Sequence, residues 1–180
     1  MSRVRWLAND RREYASKEEF VSVFECERIG LQRLALFLTA NSEAAKRCLM
    51  LAFRECIATS SVSKKWVLSW IRRMVIRNAI GLVMGSGSQS RTNDYADDGL
   101  MAFFPDDSQS TIAISESIHD LPEFERFVFI ICILERYSIH DCALLLGKSP
   151  REVIEVRQRV GHQLGGIDEL GNISQCFAMR

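Results

Sequence analysis

Two helix starts, separated by one helix stop, constrain this chain more than any other feature. Ser138-Ile139-His140-Asp141 offers a capping hydroxyl and then a carboxylate in the first helical turn. Gly147 follows, a residue that tolerates the left-handed conformation of a helix end. Two residues later, Ser149-Pro150-Arg151-Glu152 restarts the chain: Ser149 caps, Pro150 fits the first helical position, and Glu152 closes a capping box. Upstream, Leu121-Pro122-Glu123 opens another helix. The apolar run Phe127–Leu134 is too short to span a bilayer and reads as a buried helical segment.

Helical spacing assigns faces to the last helix. Val153, Val156, Val160 and Leu164 share one side and are expected to face a core. Arg151, Glu155, Gln158 and His162 share the other, with Ile154 and Arg159 at its margins. Two helices joined by a short Gly-containing turn, the second with a polar outer face, form the arrangement that reads DNA. A plain helical hairpin in a bundle has the same periodicity.

The first half is also helical in pattern. Ser16 and Glu19 predict a capped helix from Lys17, with Phe20, Val23, Phe24, Glu27, Leu31, Leu34, Ala35 and Leu38 at near-heptad spacing. Gly30 weakens that helix by about 1 kcal/mol relative to Ala and suggests close approach of a neighbour. Asn41 or Ser42 caps the next helix, which runs to about Ile57. Ala45, Leu49, Ala52, Phe53 and Cys56 point one way along it; Lys46, Arg47, Met50 and Arg54 point the other, with Leu51 beside them. Large apolar residues among cations form either a partner surface or packing beneath another helix.

A third helix is expected over Lys64–Met84, with Val67, Ile71, Met74, Val75 and Leu82 as its core stripe. Trp66, Trp70, Arg73 and Arg77 fall within about 60° of one another on a separate face. Rings interleaved with guanidinium groups suit single-stranded nucleic acid, where bases stack and phosphates pair; the alternative is that both indoles pack inside the domain.

Residues 85–117 interrupt these patterns. Gly85-Ser86-Gly87-Ser88 is flexible in composition, Asn93–Asp98 and Pro105-Asp106-Asp107 are turn-rich and acidic, and Leu100–Phe104 is a brief apolar patch. The expected organisation is all-α: a charged arm (1–16), a helical domain (17–84), a linker (85–117), a helix-turn-helix domain (118–165) and a tail (166–180). Charge is divided unevenly along it. The chain has 23 basic and 23 acidic side chains, yet residues 1–105 hold 16 of the basic ones and 11 of the acidic ones. A basic first half suits an anionic partner, whereas an acidic second half is unusual for a DNA reader.

Other chemistries find little support. The six cysteines (Cys26, Cys48, Cys56, Cys132, Cys142 and Cys176) include no C-x-x-C pair and no zinc spacing, so buried thiols are expected and no metal or other cofactor. His119, His140 and His162 are scattered through helical patterns, without a Gly-rich phosphate loop or nucleophile motif, which points away from an enzyme. No apolar h-region follows Met1-Ser2-Arg3-Val4-Arg5, so a cytoplasmic location and no membrane association are expected.

Leu121-Pro122-Glu123, Arg126, Val128-Phe129, Ser138, Ala143, Leu146-Gly147, Ser149, Val153 and Arg159 fall where region 4 of the extracytoplasmic-function bacterial sigma factors has the same residues. Leu38-Thr39, Asn41, Glu43, Ala45 and Ala52-Phe53 match the first half of region 2 of that family. Trp70-Ile71, Arg73 and Arg77-Asn78-Ala79 resemble the tryptophan-to-Arg-Asn helix that ends region 2, with one extra residue between. The chain thus resembles these sigma factors, in the family's order, over somewhat more than half its length.

The resemblance implies a transcription-initiation factor whose first domain docks on RNA polymerase core and captures melted promoter DNA, while its second reads duplex DNA. Trp66, Trp70, Arg73, Arg77 and Asn78 would serve the first promoter contact. Arg151, Glu155, Gln158, Arg159 and His162 would serve the second, with the amides at Ser149–Glu152 placed for a phosphate. Lys46, Arg47, Met50, Leu51 and Arg54 would form the polymerase or partner surface; whether an anti-sigma protein is a further partner is left open.

Two departures from the family pattern matter. Its clamp-facing helix is acidic, with a Gln-Glu pair, where this chain has Lys46-Arg47 and Met50-Leu51. Its recognition helix carries Thr-Val-Lys-Ser-Arg, where this chain has Glu152-Val153-Ile154-Glu155-Val156, and only Arg159 keeps a basic position. The first reversal disfavours the usual clamp contact and the second predicts weak duplex affinity. A different class of reading follows from both, a sigma-like adaptor that binds protein through the Met50-Leu51 surface and reads little DNA.

Overall fold

The computed structural model describes residues 13–59, 61–85 and 118–163. Among them the protein is all-α, the sole strand-like feature being an isolated antiparallel bridge between Tyr14 and Ser63. That bridge ties the approach to the first helix to the approach to the fourth, through Ala15 N–H to Val62 O at 2.7 Å and Lys64 N–H to Glu13 O at 2.9 Å. Residues 13–16 are therefore docked. The remainder of the arm, most of the linker with Leu100–Phe104, Leu164, Cys176 and the tail lie outside the described residues.

Helix α1 (Lys17–Cys26) begins at the predicted capping box. Ser16 Oγ accepts from Glu19 N–H, and the Glu19 carboxylate accepts from Ser16 N–H at 2.7 Å. The continuous helix expected to reach Leu38 is instead broken at Glu27, and α2 (Arg28–Thr39) starts anew. Glu27 has φ −98° and ψ 10°, and its N–H still closes α1 by donating to Val23 O at 3.0 Å. The break lets Phe20 and Phe24 on one segment, and Leu31, Leu34, Ala35, Phe37 and Leu38 on the other, all enter the core. Gly30 is not forced by crowding: an added Cβ would meet only Arg72 Nη2 and Glu27 Oε2, both at an ordinary 3.8 Å.

Helix α3 (Ser42–Ala58) is capped by Asn41, whose Oδ1 accepts from Ala44 N–H at 2.9 Å. Its inward face is narrow: Ala45, Cys48, Leu49, Ala52 and Cys56 are buried. Small side chains there let α4 (Val67–Val83) lie close, and the Cys48 thiol donates to Val75 O at 3.2 Å. Burial pushes the Cys48 and Cys56 thiols up to about 12, which makes them inert packing groups. Helix α4 packs on both α2 and α3, and its buried face is wider than the expected stripe, taking in Ile76 and Ala79. Leu82 is only partly buried.

The second segment opens with α5 (Glu123–Val128), which widens into a π-helix over Phe129–Leu134. In this wider spiral Glu135 N–H reaches back five residues to Ile130 O at 2.9 Å. Seven of the eight residues Phe127–Leu134 are buried in the apolar core, with only Ile133 at its margin. Helix α6 (Ile139–Leu146) starts at Ser138, whose Oγ accepts from Asp141 N–H at 3.0 Å, and ends at Gly147 with φ 62°. Helix α7 (Pro150–Gln163) follows, burying Val153, Val156 and Val160 as its spacing predicts.

The two segments do not stand apart as separately cored bodies. Buried residues of both belong to one apolar cluster. The buried Arg126 donates from Nε to Leu38 O across 88 positions of sequence at 3.2 Å, and Phe37 meets His119 edge-on at a centroid distance of 6.3 Å. Arg72 Nη1 reaches both oxygens of Glu135 at 3.1 Å. Burial holds the Arg126 guanidinium below its ordinary range, and burial together with Arg126 lowers His119.

Candidate nucleic-acid interface

The cationic and aromatic residues singled out in the first half gather around the start and outer face of α4. Trp66 is not on that helix: it ends a short 3-10 turn (Lys64–Trp66) and sits at the helix N-cap. Its indole is 58% exposed, flanked by Lys65, whose Nζ lies 5.9 Å from the ring centroid. A cation over the ring face and an open indole leave an amphipathic surface on which a base can stack. Trp70, one turn into α4, divides from it. The ring is partly buried against the core, and its Nε1 is buried without a hydrogen-bond partner. Burying the ring removes apolar indole surface from water, so of the pair only Trp66 presents an open ring.

Arg73 and Arg77 are exposed one turn apart on the outer face of α4. Arg77 does not stand free. Its Nη2 lies 2.9 Å from Glu55 Oε1, and Asn78 Nδ2 donates to Glu55 Oε2 at 3.1 Å and to Met74 O at 2.9 Å. Glu55 reaches from α3 to hold both residues of the Arg-Asn pair with its two oxygens. Sequence spacing offered no sign of it, since the contact spans 23 positions and joins two helices. Lys64, also exposed, pairs with Glu19 at 2.6 Å.

Elsewhere on α3, Arg47 and Arg54 are exposed, Lys46 pairs with Glu43 at 3.4 Å, and Met50 and Leu51 are half-buried. The mixed apolar and cationic composition expected there is present at the surface, with less apolar area than full exposure would give.

Helix α7 follows α6 across a short turn, and two of its three arginines, Arg151 and Arg159, are already engaged. Arg151 pairs with Glu155 at 3.0 Å one turn on. Arg159 donates from Nη1 to the buried Glu125 of α5. Gln158 and His162 are exposed and complete the outer face, with Ile154 43% exposed beside them. Of the amides at Ser149–Glu152, expected to receive a phosphate, two are taken within the chain itself: Glu152 N–H donates to Ser149 Oγ at 3.3 Å, and Ser149 N–H donates to a carboxylate. Glu152 Oε2 accepts from Ser149 N–H at 2.8 Å and Ser149 Oγ at 2.7 Å. These bonds hold the Glu152 carboxyl below its usual range, as expected of an anion at a helix start.

Cys132 and Cys142 are buried and share a hydrogen bond, which lowers the first thiol and raises the second. Among the described residues no group of three His, Cys, Asp or Glu side chains is placed to hold a metal, and no helix is long and apolar enough to cross a membrane. Comparisons of the chain with family models, with curated proteins and with solved structures find no match.

Proposed function

We propose that this protein is a sigma-like factor that directs transcription initiation by binding RNA polymerase core and promoter DNA, with its main DNA contact to the unpaired strand. The observation that carries the reading is the open face at the start of α4, where the exposed Trp66 indole, Lys65, Arg73 and Arg77 combine a stacking ring with cations. The order of sequence resemblances and the capped α6–turn–α7 unit support it. Residues 17–84 and 118–165 would work as two promoter-binding units.

A second reading is favoured by a specific observation on α7. Its Arg151 and Arg159 are both paired with carboxylates, and Glu152 occupies the helix start. A helix so largely neutralised, with the exposed Arg157 its remaining arginine, releases few counterions from duplex DNA and binds it weakly. The protein would then be an adaptor that holds a protein partner through the α3 surface around Met50, Leu51 and Arg54. One paired assay separates the two. Incubated with core polymerase, a sigma-like factor is retained on the enzyme and yields a run-off transcript from a promoter template. Retention without any transcript favours the adaptor, and loss of both removes polymerase from the account.

A further inference from the structure

We infer that Glu55 is a built-in competitor that occupies the phosphate position of the single-strand face, so that binding a nucleic-acid strand proceeds by exchange of this carboxylate for a phosphodiester. The inference rests on the reading of that face given above and concerns how it is regulated. A carboxylate and a phosphodiester present the same feature to a guanidinium and an amide, two oxygens carrying negative charge at hydrogen-bond spacing. Glu55 uses both of its oxygens, one on Arg77 Nη2 at 2.9 Å and one on Asn78 Nδ2 at 3.1 Å. Asn78 is held in place by a second bond, to Met74 O at 2.9 Å, so its amide stays aimed at the same spot when the carboxylate leaves.

The exposures fit an exchangeable clasp. The Arg77 side chain is 58% exposed and that of Glu55 is 38% exposed, so the pair is reached from solvent and is screened by it. The deeper ion pair of this protein contrasts with it: Glu135 is only 3% exposed beside Arg72 and is fixed. Arg73, one turn before Arg77, is exposed and makes no ion pair among the described residues. The face therefore has an open cation and a covered one. An arriving strand meets Trp66, Lys65 and Arg73 first, and gains Arg77 and Asn78 only after Glu55 gives way.

Glu55→Gln tests this, because glutamine keeps the shape and an acceptor for Asn78 while removing the charge that holds Arg77. Binding of a fluorescein-labelled oligothymidylate is followed by anisotropy across a series of salt concentrations, for wild type, Glu55→Gln and Glu43→Gln. The last removes an exposed carboxylate on the same helix that pairs with Lys46, away from this face. Glu55→Gln is expected to bind about two- to fivefold tighter at low salt. Its plot of log affinity against log salt is expected to steepen by about 0.7, one further phosphate being neutralised on a single strand. Equal affinity and slope for Glu55→Gln and wild type overturn the inference while leaving the face as a binding site. An equal gain in Glu43→Gln also overturns it, by reducing the effect to net charge. Absence of binding in all three removes the face itself, and the clasp with it.

Discussion

Replacing Arg72 with methionine is expected to destabilise the protein by about 3–5 kcal/mol at neutral pH, the usual cost of leaving one member of a buried ion pair alone. Arg72 lies on α4 and reaches both oxygens of Glu135, just past the π-helix, at 3.1 Å. Glu135 is 3% exposed, and burial raises its carboxyl above the usual carboxylate range even with Arg72 present. Without the guanidinium that rise becomes larger. A carboxyl whose folded value lies above its unfolded one stabilises the fold fully at pH below the unfolded value. That contribution is lost as pH rises through the folded value. The deficit of Arg72→Met is therefore largest at neutral pH and shrinks as acid protonates Glu135. Urea unfolding of the variant and wild type from neutral pH down to the ordinary carboxylate range measures it. Adding Glu135→Gln to Arg72→Met should recover much of the loss at neutral pH and flatten the pH dependence. A deficit that is small, or unchanged over that range, would mean that the pair is not buried in solution.

Phe37→Ala is expected to cost about 3–5 kcal/mol, as large-to-small changes of buried aromatic residues do. The side chain is 2% exposed on α2 and meets His119, at the start of the second segment, edge-on. The consequence extends beyond the size of the loss. Because Arg126 Nε bonds Leu38 O one residue further along α2, the same stretch of helix holds both segments together. Unfolding followed by tryptophan fluorescence reports Trp6, Trp66 and Trp70, all in the first half of the sequence. Hydrogen exchange of the α6 and α7 amides reports the second. Phe37→Ala should lower the stability seen by both probes by similar amounts. A change confined to the tryptophan signal would show two independent cores.

The parts of this fold that were legible in sequence are those decided within a few residues. Ser16 with Glu19, Asn41, Ser138, Gly147 and Ser149 with Glu152 all mark helix ends where expected, because a cap is a bond between near neighbours. The valine stripe of α7 was legible for the same reason, since periodicity is local. What escaped depends on distant partners. The break at Glu27, the burial of Ile76 and the exposure of Cys26, which was expected to be buried with the other thiols, follow from how α1 to α4 pack, which no single helix encodes. The π-helix at Phe129–Leu134 is spelled by residues that suit an ordinary buried helix equally well.

The candidate site divides along the same line. That Arg73 and Arg77 lie at the surface follows from the phase of α4, which the sequence carries, whereas Trp66 is exposed at the end of the turn before it. That Trp70 turns inward, that Glu55 holds Arg77 and Asn78, and that Arg159 is bound to Glu125 are tertiary facts. Each removes part of a charge or ring that a residue-by-residue reading would have offered to DNA.

Affinity for an unpaired strand, compared between wild type and a Trp66→Ala, Arg73→Ala double variant, bears most directly on what this protein does. Both side chains are exposed, so the variant is expected to melt as wild type does. Anisotropy of a labelled single-stranded oligonucleotide should show at least about tenfold weaker binding by the variant, from loss of one stacked base and one phosphate contact. Binding of equal strength by both proteins would contradict the assignment of the α4 face to nucleic acid.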